Sequence, residues 1–551
     1  MKRNFLFTAV VASVALAACD SGDINIQPQT NVTDSNNTTT TGGGGPAVNN
    51  CAQINVGGNS VQGTPDGDNC TYPDIVGAGN NLTTDLFIPS LPNGGAHIFE
   101  GSLFVGENCG DDACLTAAGI TEGGDGPTLT IEAGATLAWQ TSADFLIINR
   151  GSRVIARGRA DAPITFTSVS DVNGTVGPED VQQWGGIVIN GFGVSNKCSY
   201  TGTRGQAGFA LNGECHVDAE GSAGLDESQY GGVNDDDNSG ELSYVVVKHT
   251  GAQVGNGDEL NGISFGGVGR GTIVNNLQVY STFDDGIEMF GGAFDIENLV
   301  ALYVRDDSVD LDEGWQGTIT NALVVQSESI GNHCIEADGI GSFGDLGAGV
   351  ADDFIARNLN TRAVINNMTC IISPTPTQCD FDPGAGWRFR EGLWVDVNDS
   401  LVITSFAAND QTSANDNYCL RIDDAQTELA ATNGDLNLNS VIFACQETFR
   451  DVQEQTFADA EGAVAATIAN NTAVSATAMN DADLQLLEGT VPVFSIDFAT
   501  SLVDGAAPNA SATPTQGTFL GAVSLATDFT AMWTFGINAD NRSQPLWFET
   551  L

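Results

Sequence analysis

Positive charge is the scarcest feature of this sequence. Its 551 residues include 18 lysines and arginines against 70 aspartates and glutamates, which gives a formal net charge of −52. Because contacts to nucleic-acid phosphates are made by Lys and Arg, this deficit excludes a nucleic-acid-binding protein. The four histidines are scattered and no Cys-x-x-Cys motif is present, so a zinc cluster is also disfavoured.

Long apolar runs are rare as well. Beyond the N-terminal segment, no stretch reaches the roughly 18 apolar residues that a membrane-spanning helix requires. Proline is modest at 16 residues whereas glycine reaches 67, a balance that favours many turns over long helices. Apolar residues still make up 41% of the chain, so a large core is expected and a wholly disordered chain is not.

The N-terminal residues have the pattern of an export signal. Lys2 and Arg3 precede an apolar segment at residues 5–15 that is too short to span a bilayer. Residues 16–19 (LAAC) resemble the lipobox of bacterial lipoproteins, which implies cleavage before Cys19 and lipidation of its sulfur. We therefore expect a signal peptide at 1–18 and, from Cys19 through residue 50, a flexible tether rich in Asn, Thr and Gly.

The predicted anchor places the protein in the bacterial cell envelope, held to a membrane through the lipid on Cys19. The outer membrane or the cell surface is the favoured location. Asp20 follows the lipidated residue, and in some bacteria an aspartate there favours retention at the inner membrane. The inner membrane is therefore the alternative location.

Eleven cysteines follow Cys19, and most of them form close pairs in loop-like sequence. An oxidising envelope favours disulfides. Cys334 is left without a near neighbour and is expected to be a small buried side chain. From proximity alone, the expected pairs are Cys51–Cys70, Cys109–Cys114, Cys198–Cys215, Cys370–Cys379 and Cys419–Cys445.

A repeat occupies the centre of the chain. The string at residues 284–288 (DDGIE) returns at 306–310 (DDSVD) and at 332–336 (NHCIE), after 22 and then 26 residues. Two strands of alternating pattern per repeat, with no helix of repeat length, predict a parallel β-solenoid with coils of about 22 residues. A β-propeller needs blades of about 40 residues and fits this period poorly.

An asparagine column runs in step with the repeat. Asn276, Asn298 and Asn321 each precede a short apolar strand, at spacings of 22 and 23 residues. Asn stacks at corners usually satisfy the polar backbone groups of turns. We expect this column to be structural.

Five short motifs stand out beside the repeat: residues 184–191 (WGGIVING), 259–263 (ELNGI), 284–292, 519–522 (FLGA) and 533–534 (WT). In these motifs the chain resembles a family of secreted bacterial lipoproteins of largely undefined function. The resemblance implies an all-β fold, the right-handed parallel β-helix shared with pectate lyases and polygalacturonases, over about residues 120–551. It implies no activity, because one fold hosts both enzymes and inert stalks.

The rest of the chain can be divided from its sequence only into broad regions. We expect an irregular, disulfide-bearing N-terminal cap at 51–125, the β-helix at 126–450, and a C-terminal cap at 451–551 that covers the last open strand edge. Insertion loops are expected at 192–240, 340–362 and 373–384.

Acidic residues recur at one position of the repeat. Glu288, Asp310 and Glu336 are expected to point outward on neighbouring coils, about 4.8 Å apart. The column then continues into Arg388 and Arg421. Like charges at this spacing repel each other, so a raised pKa, a bound cation or solvent screening must compensate.

The first functional hypothesis is a non-catalytic envelope protein that presents this column as a solvated acidic face. Such a face, paired with arginines at one end, needs little further compensation because water screens it. Its partner would be an envelope polysaccharide or another surface component.

The first alternative is a polysaccharide-active enzyme, a glycoside hydrolase or a lyase. Carboxyl groups one coil apart approach the ~5 Å separation of retaining glycosidases. Asp310, flanked by Glu288 and Glu336, would be the protonated general acid. His333 would act as base or proton relay, and Arg388 or Arg421 would hold an acidic sugar.

The second alternative is a calcium-stabilised surface adhesin. The oxygen-only cluster Asp306, Asp307, Asp310 and Asp312 supplies ligands that Ca²⁺ prefers. The glycine-rich calcium nonapeptide is absent from the sequence.

Overall fold

The computed structural model describes residues 49–449 with short gaps, and several segments after them. Residues 1–48, which hold the predicted signal peptide, Cys19 and nearly all of the tether, lie outside the described residues. The gaps are 77–79, 121–123, 221–227, 256–257, 348, 374–383, 404–417 and 446; the later described segments are 473–474, 487–488, 491–492, 494–497, 519–523 and 528–547.

One sheet, here called the ladder sheet, has ten parallel strands among the described residues. Ile287 pairs with Val309 and Asp310 with Glu336, steps of 22 and 26 residues. Glu336 then pairs with Arg388, 52 residues on, so insertions lengthen other coils. The strands are Leu103–Val105, Leu146–Ile148, Ile187–Asn190, Ile263–Gly266, Ile287–Phe290, Val309–Asp312, His333–Asp338, Ala385–Arg390, Tyr418–Ile422 and Glu447–Phe449.

The second sheet, here called the bent sheet, has sixteen strands among the described residues. All of its strand pairs are parallel except the first, Thr64–Asp66 with Asn69–Tyr72. The other strands are Leu86–Ile88, Ala96–Phe99, Thr128–Ile131, Thr136–Trp139, Arg153–Arg157, Ile164–Ser168, Gly240–Lys248, Ile273–Tyr280, Ile296–Leu302, Thr318–Val325, Arg362–Ile371, Trp394–Ile403, Leu436–Ala444 and Ala473–Val474.

The asparagine column produces the bend in the central strands of this sheet. Asn276, Asn298 and Asn321 have φ angles of 50°, 63° and 59°, in the left-handed region that Asn tolerates better than most residues. The Nδ2 atom of Asn298 donates to Oδ1 of Asn276 at 3.2 Å, and Nδ2 of Asn321 donates to Oδ1 of Asn298 at 2.9 Å. The column is therefore structural, as expected. It divides each strand into a first arm before the asparagine and a second arm after it.

The two sheets enclose one apolar core. Alternating residues of the ladder sheet, such as Ile287, Val309 and Ile335, point inward and are at most 1% exposed. Trp139 and Trp184 stack face to face in the interior with ring centroids 4.4 Å apart. The stacking of equivalent residues on successive coils is what the repeat predicted.

The segment 51–125, which we predicted to be an irregular N-terminal cap, contains parallel strands that belong to both sheets of the β-helix. Asn69–Tyr72 pairs in parallel with Ala96–Phe99, and Leu103–Val105 with Leu146–Ile148. A hairpin of Gln53–Val56 and Asn59–Gln62 precedes these coils. The described β-helix therefore extends further toward the N terminus than residue 126.

Four of the predicted disulfides are present: Cys51–Cys70, Cys109–Cys114, Cys198–Cys215 and Cys419–Cys445. The fifth prediction was wrong. Cys370 bonds to Cys334, with Cα atoms 6.0 Å apart, and Cys379 lies outside the described residues. Cys334 is on the ladder sheet and Cys370 on the bent sheet, and both are fully buried. The bond crosses the interior, a proximity that sequence separation cannot reveal.

The insertion at 192–240 folds back over the ladder sheet. Arg204 anchors it, with a side chain only 1% exposed. Its Nε and Nη2 atoms each donate to Asp235 at 2.8 Å, and further bonds reach the carbonyls of Gly292 and Gly314. The insertion carries two hairpins, Tyr200–Thr201 with Ala210–Leu211 and Val217–Asp218 with Gln229–Tyr230.

The described C-terminal residues pack along the side of the β-helix. Leu520, Ala522 and Trp547 cover an apolar patch on the second arms of the bent sheet that includes Leu302 and Ile371. The Ala522 amide donates to Oγ1 of Thr369 at 2.8 Å. This part of 451–551 thus covers a sheet face of the central coils, whereas a terminal cap would sit on the last coil.

Helices are few and short among the described residues, and none is long and apolar enough to cross a membrane. The helices are Asp112–Ala118, Val169–Val172, Val350–Ala356 and Ala425–Asn433, with 3₁₀ turns at Pro92–Gly94 and Phe343–Asp345. The remaining antiparallel strand pairs are Gln253–Gly255 with Asp258–Glu259, Leu487–Glu488 with Val491–Pro492, and Phe494–Asp497 with Phe519–Val523.

Candidate functional site

The strand register brings the predicted column together. Glu288 pairs with Asp310, Asp310 with Glu336, Glu336 with Arg388, and Arg388 with Arg421. Strand periodicity explains this result, because residues at equivalent positions on successive coils must point the same way.

The column is not a solvated face, and this part of the first hypothesis was wrong. Glu288 is 7% exposed, and Asp310 and Glu336 are only partly exposed. The insertion packs against the Glu288 end of the column: Tyr230 is 1% exposed and its ring lies 5.9 Å from that of Phe290 on the same strand as Glu288. Screening by water therefore cannot balance these charges.

Arginines neutralise one half of the column, here called the arginine half: Glu336, Asp338, Arg388, Arg390, Arg421 and Asp423. Arg390 binds both oxygens of Asp338, with Nη2 2.8 Å from Oδ2. Arg388 bridges Glu336 and Asp423, at 2.9 Å to each. Arg421 contacts Asp423 at 2.7 Å. Both arginines predicted to hold an acidic sugar already have carboxylate partners.

The pKa values in the arginine half reflect this pairing. Burial alone would raise the pKa of Glu336, but neighbouring His333, Arg390 and Arg388 hold it below its ordinary value. Burial raises the pKa of Asp338 despite its bonds to Arg390. Of these two carboxyls, Glu336 is the one whose charged form the surroundings favour.

The other half, here called the acidic half, consists of Asp285, Glu288, Asp310 and Asp312. Oxygen atoms of Asp285, Glu288 and Asp310 lie within 4.8 Å of one another. Burial, and then the charges of neighbouring carboxylates, raise the pKa of each of the four well above its ordinary value. Oδ1 of Asp310 is fully buried and has no hydrogen-bond partner among the described residues.

His333 lies between two buried partners. Its Nδ1 is 2.7 Å from Oδ1 of Asp307, and its Nε2 is 2.7 Å from the Tyr418 hydroxyl. All three residues are about 3% exposed. The chain of hydrogen bonds spans several coils and orients the imidazole, but none of its members presents a polar atom at an open surface.

The predicted calcium ligands Asp306, Asp307, Asp310 and Asp312 do not form one cluster, so that prediction was wrong. Oδ1 of Asp306 accepts from Asn332, Asp307 binds His333, and Asp312 accepts from the Glu313 amide. Carboxylates on neighbouring coils lie closer together than carboxylates on one strand. The reason is that adjacent strands are about 4.8 Å apart, whereas side chains on the same face of one strand are two residues apart.

The sequence pattern does not reveal the contacts that the insertion makes at the site. Glu313 is 4% exposed and accepts from Ser195 at 2.5 Å and from the Tyr230 hydroxyl at 2.7 Å. Asn261 donates from Nδ2 to Glu288 at 2.7 Å and to Glu220 at 3.1 Å. Asn261 belongs to a copy of the repeat, so its place near the column could have been predicted from the sequence. The insertion residues follow no period, so theirs could not.

An open groove lies on the first arms of the bent sheet. Its volume is about 490 Å³, and its lining includes Ile273, Asn275, Glu297, Thr318 and Thr320. Asn275, Glu297 and Thr320 occupy equivalent positions on three successive coils. The groove therefore offers polar side chains at the ~4.8 Å spacing of the coils.

Comparison with known proteins identifies the family. A family model for a pectate-lyase-like beta helix domain matches residues 113–486. No curated protein matches the chain, and no solved structure does. The match spans more than half of the chain and agrees with the parallel sheets described above.

Proposed function

We propose that this chain, which belongs to the pectate-lyase-like β-helix family, is an exported, lipid-anchored envelope protein that binds a polysaccharide without cleaving it. The family is compatible with binding and with polysaccharide-active roles. The lipobox-like residues ending in Cys19 support the anchor, and the expected disulfides support an oxidising envelope.

The non-catalytic part of the proposal depends on one observation: most of the candidate catalytic side chains of the column are already bound to other protein groups. An acidic sugar would have to displace Asp423 from Arg388, and a substrate proton would have to reach His333 past Tyr418. A general base must lie within hydrogen-bond reach of the proton that it removes. Each candidate catalytic group except Asp310 is held by a charged or hydrogen-bonding protein partner: Glu288 by Asn261, Glu336 by Arg388, and His333 by Asp307 and Tyr418.

The groove on the bent sheet supports a binding role outside the column. Asn275, Thr318 and Thr320 supply hydrogen-bonding groups, and Ile273, 48% exposed, supplies an apolar contact. The net charge of −52 repels polyanions, so we expect a neutral polysaccharide as the ligand.

A binding assay with substitutions in the groove tests this proposal. The purified protein is mixed with a panel of neutral and acidic polysaccharides, and retention and released products are both measured. Ile273→Arg should weaken retention at least tenfold, because a charged side chain then fills the groove. Phe87→Arg is the matched control: Phe87 is 55% exposed on an early strand of the same sheet. Equal retention by both variants, or none by the wild type, would refute the assignment.

The second candidate function is a polysaccharide-active enzyme. It is favoured by the opposite pKa shifts of paired Asp310, raised, and Glu336, lowered, which is the division expected for a general acid and an ionised partner. The same assay separates the two roles, since products that appear with the wild type and disappear in Asp310→Asn would establish catalysis.

A further inference from the structure

We infer that His216 is a pH-sensitive clasp for part of the insertion. With a neutral imidazole it holds the strand pair Val217–Asp218 with Gln229–Tyr230 against the first coils, and on protonation it releases that pair. The ring of Tyr230 packs on Phe290 at the Glu288 end of the column, so the clasp controls how firmly that end is covered. The inference concerns a conformational change and is independent of polysaccharide binding.

Arg150 is the centre of the contact between the insertion and the coils. It follows the ladder strand Leu146–Ile148 and is 3% exposed. Its Nη1 atom donates to the carbonyl oxygens of Cys215 and Gly231, each at 3.0 Å, and Nη2 donates to the carbonyl of Cys109 at 2.7 Å. A guanidinium has five N–H donors and no acceptor, so every polar group that binds it must accept.

Two disulfide-closed loops meet at this guanidinium. Cys215 belongs to the Cys198–Cys215 bond of the insertion, and Cys109 to the Cys109–Cys114 bond at the helix Asp112–Ala118. The carbonyl groups of these loops do not titrate. The imidazole of a further partner, His216, is of the kind whose charge changes between about pH 5 and pH 8.

The hydrogen bonds of His216 require a neutral imidazole. Its Nδ1 atom lies 2.7 Å from Nη2 of Arg150 and must accept, so it carries no proton. Its Nε2 atom lies 3.1 Å from Oδ1 of Asp112, so it carries the proton and donates. This tautomer joins the insertion to a coil on one side and to a helix on the other.

Protonation would break the contact with Arg150. An imidazolium carries a proton on both nitrogens, so the Nδ1 proton would point at an N–H group of the guanidinium and two positive charges would face each other. Burial lowers the pKa of Arg150 to about 10, which still leaves the guanidinium charged at neutral pH. The repulsion therefore falls on the link between insertion and coil.

The other charged groups around His216 favour its protonated form. Asp112 and Glu214 lie 3.1 Å and 3.9 Å from Nε2, and both side chains are more than half exposed. Asp237 acts on Arg150 and raises the pKa of the guanidinium. On acidification His216 would therefore keep its exposed carboxylate partners and lose its buried one.

Amide hydrogen exchange on the purified protein at about pH 7.5 and about pH 5 tests the inference, with rates expressed as protection relative to the unfolded chain. On acidification, protection of Val217–Asp218 and Gln229–Tyr230 should fall about tenfold, because a hydrogen bond to a charged group is lost. The strand pair Tyr200–Thr201 with Ala210–Leu211 is the internal control. It belongs to the same insertion, contains no histidine and should keep its protection.

Two variants separate His216 from other groups that titrate in this range. In His216→Asn the Oδ1 atom takes the place of Nδ1, accepts from Arg150 and does not titrate, so protection should be equal at both pH values. Asp112→Asn keeps an acceptor but removes a negative charge that favours the imidazolium, so the loss of protection should occur at lower pH.

The inference is overturned if the wild-type strand pair stays protected at pH 5, if His216→Asn loses as much protection as the wild type, or if the internal control loses as much. Nitrogen NMR of the wild-type imidazole needs no variant: at pH 7.5 Nε2 should carry the proton, and an imidazolium at that pH would also overturn it. A pH response in a protein that retains no polysaccharide would leave the clasp standing and refute only the proposed function.

Discussion

The arginine half and the acidic half of the column lie on neighbouring coils of the same sheet, yet their buried carboxylates differ in whether they have positively charged partners. In the arginine half each carboxylate has a guanidinium within about hydrogen-bond distance, from Arg388, Arg390 or Arg421. In the acidic half Asp285, Glu288 and Asp310 have no such partner among the described residues. A β-helix stacks whatever side chains its repeat supplies, so the charge balance of each coil depends on the side chains of the neighbouring coils.

Breaking the arginine half should have the largest effect. Arg390→Met removes both bonds to Asp338 and leaves that buried carboxylate unpaired, so we expect a loss of about 3 kcal/mol in the free energy of unfolding. Urea denaturation measures it. Arg157→Met is the control, because Arg157 is 66% exposed beside Glu241 and should cost less than about 0.5 kcal/mol. Similar losses in the two variants would contradict the comparison.

The stability contributions of the two halves should also respond oppositely to pH. Burial raises the folded-state pKa of Asp285, Glu288 and Asp310, so their stabilising contribution is complete below about pH 4 and is lost as pH rises through the raised values. The pKa of Glu336 is lowered, so its contribution is present above its unfolded pKa and is lost as pH falls through the lowered value.

Asp310→Asn therefore tests whether the acidic half loses stability as the pH rises. Its other charged neighbours, Asp338, Glu336, Asp307 and Asp312, remain in place. The variant should lose less stability than the wild type between pH 4 and pH 8, by about 1 kcal/mol or more. Melting curves across that range measure the difference, and superimposable pH profiles would show that the carboxyl is not under strain from its neighbours.

The smallest effect is expected at the far end of the arginine half. Arg421→Gln removes one contact to Asp423, but Asp423 keeps Arg388 at 2.9 Å. We expect a loss below about 1 kcal/mol, because the carboxylate remains paired. A loss as large as that of Arg390→Met would mean that the arginines act as one unit, which a double variant of Arg388 and Arg421 would confirm.

Much of the site was predictable from the repeat. The column Glu288, Asp310, Glu336 follows from strings of matching pattern, and the strand register reproduces it. The Asn276, Asn298 and Asn321 column was predictable for the same reason. The predicted calcium ligands do not form one cluster, because residues two apart on one strand, such as Asp310 and Asp312, lie further from each other than residues at equivalent positions on adjacent coils.

Sequence alone determined the parallel β-helix and the residues that stack in its columns. Two periodicities fix which side chains align: side chains alternate every two residues along a strand, and equivalent positions recur once per coil. Only the tertiary structure decided whether those columns meet water. Described residues of the insertion at 192–240 pack against the acidic half, the Cys334–Cys370 bond crosses the core, and residues within 519–523 and 528–547 cover a sheet face. These contacts join segments far apart in the chain that share no period, so their positions depend on how the whole molecule packs.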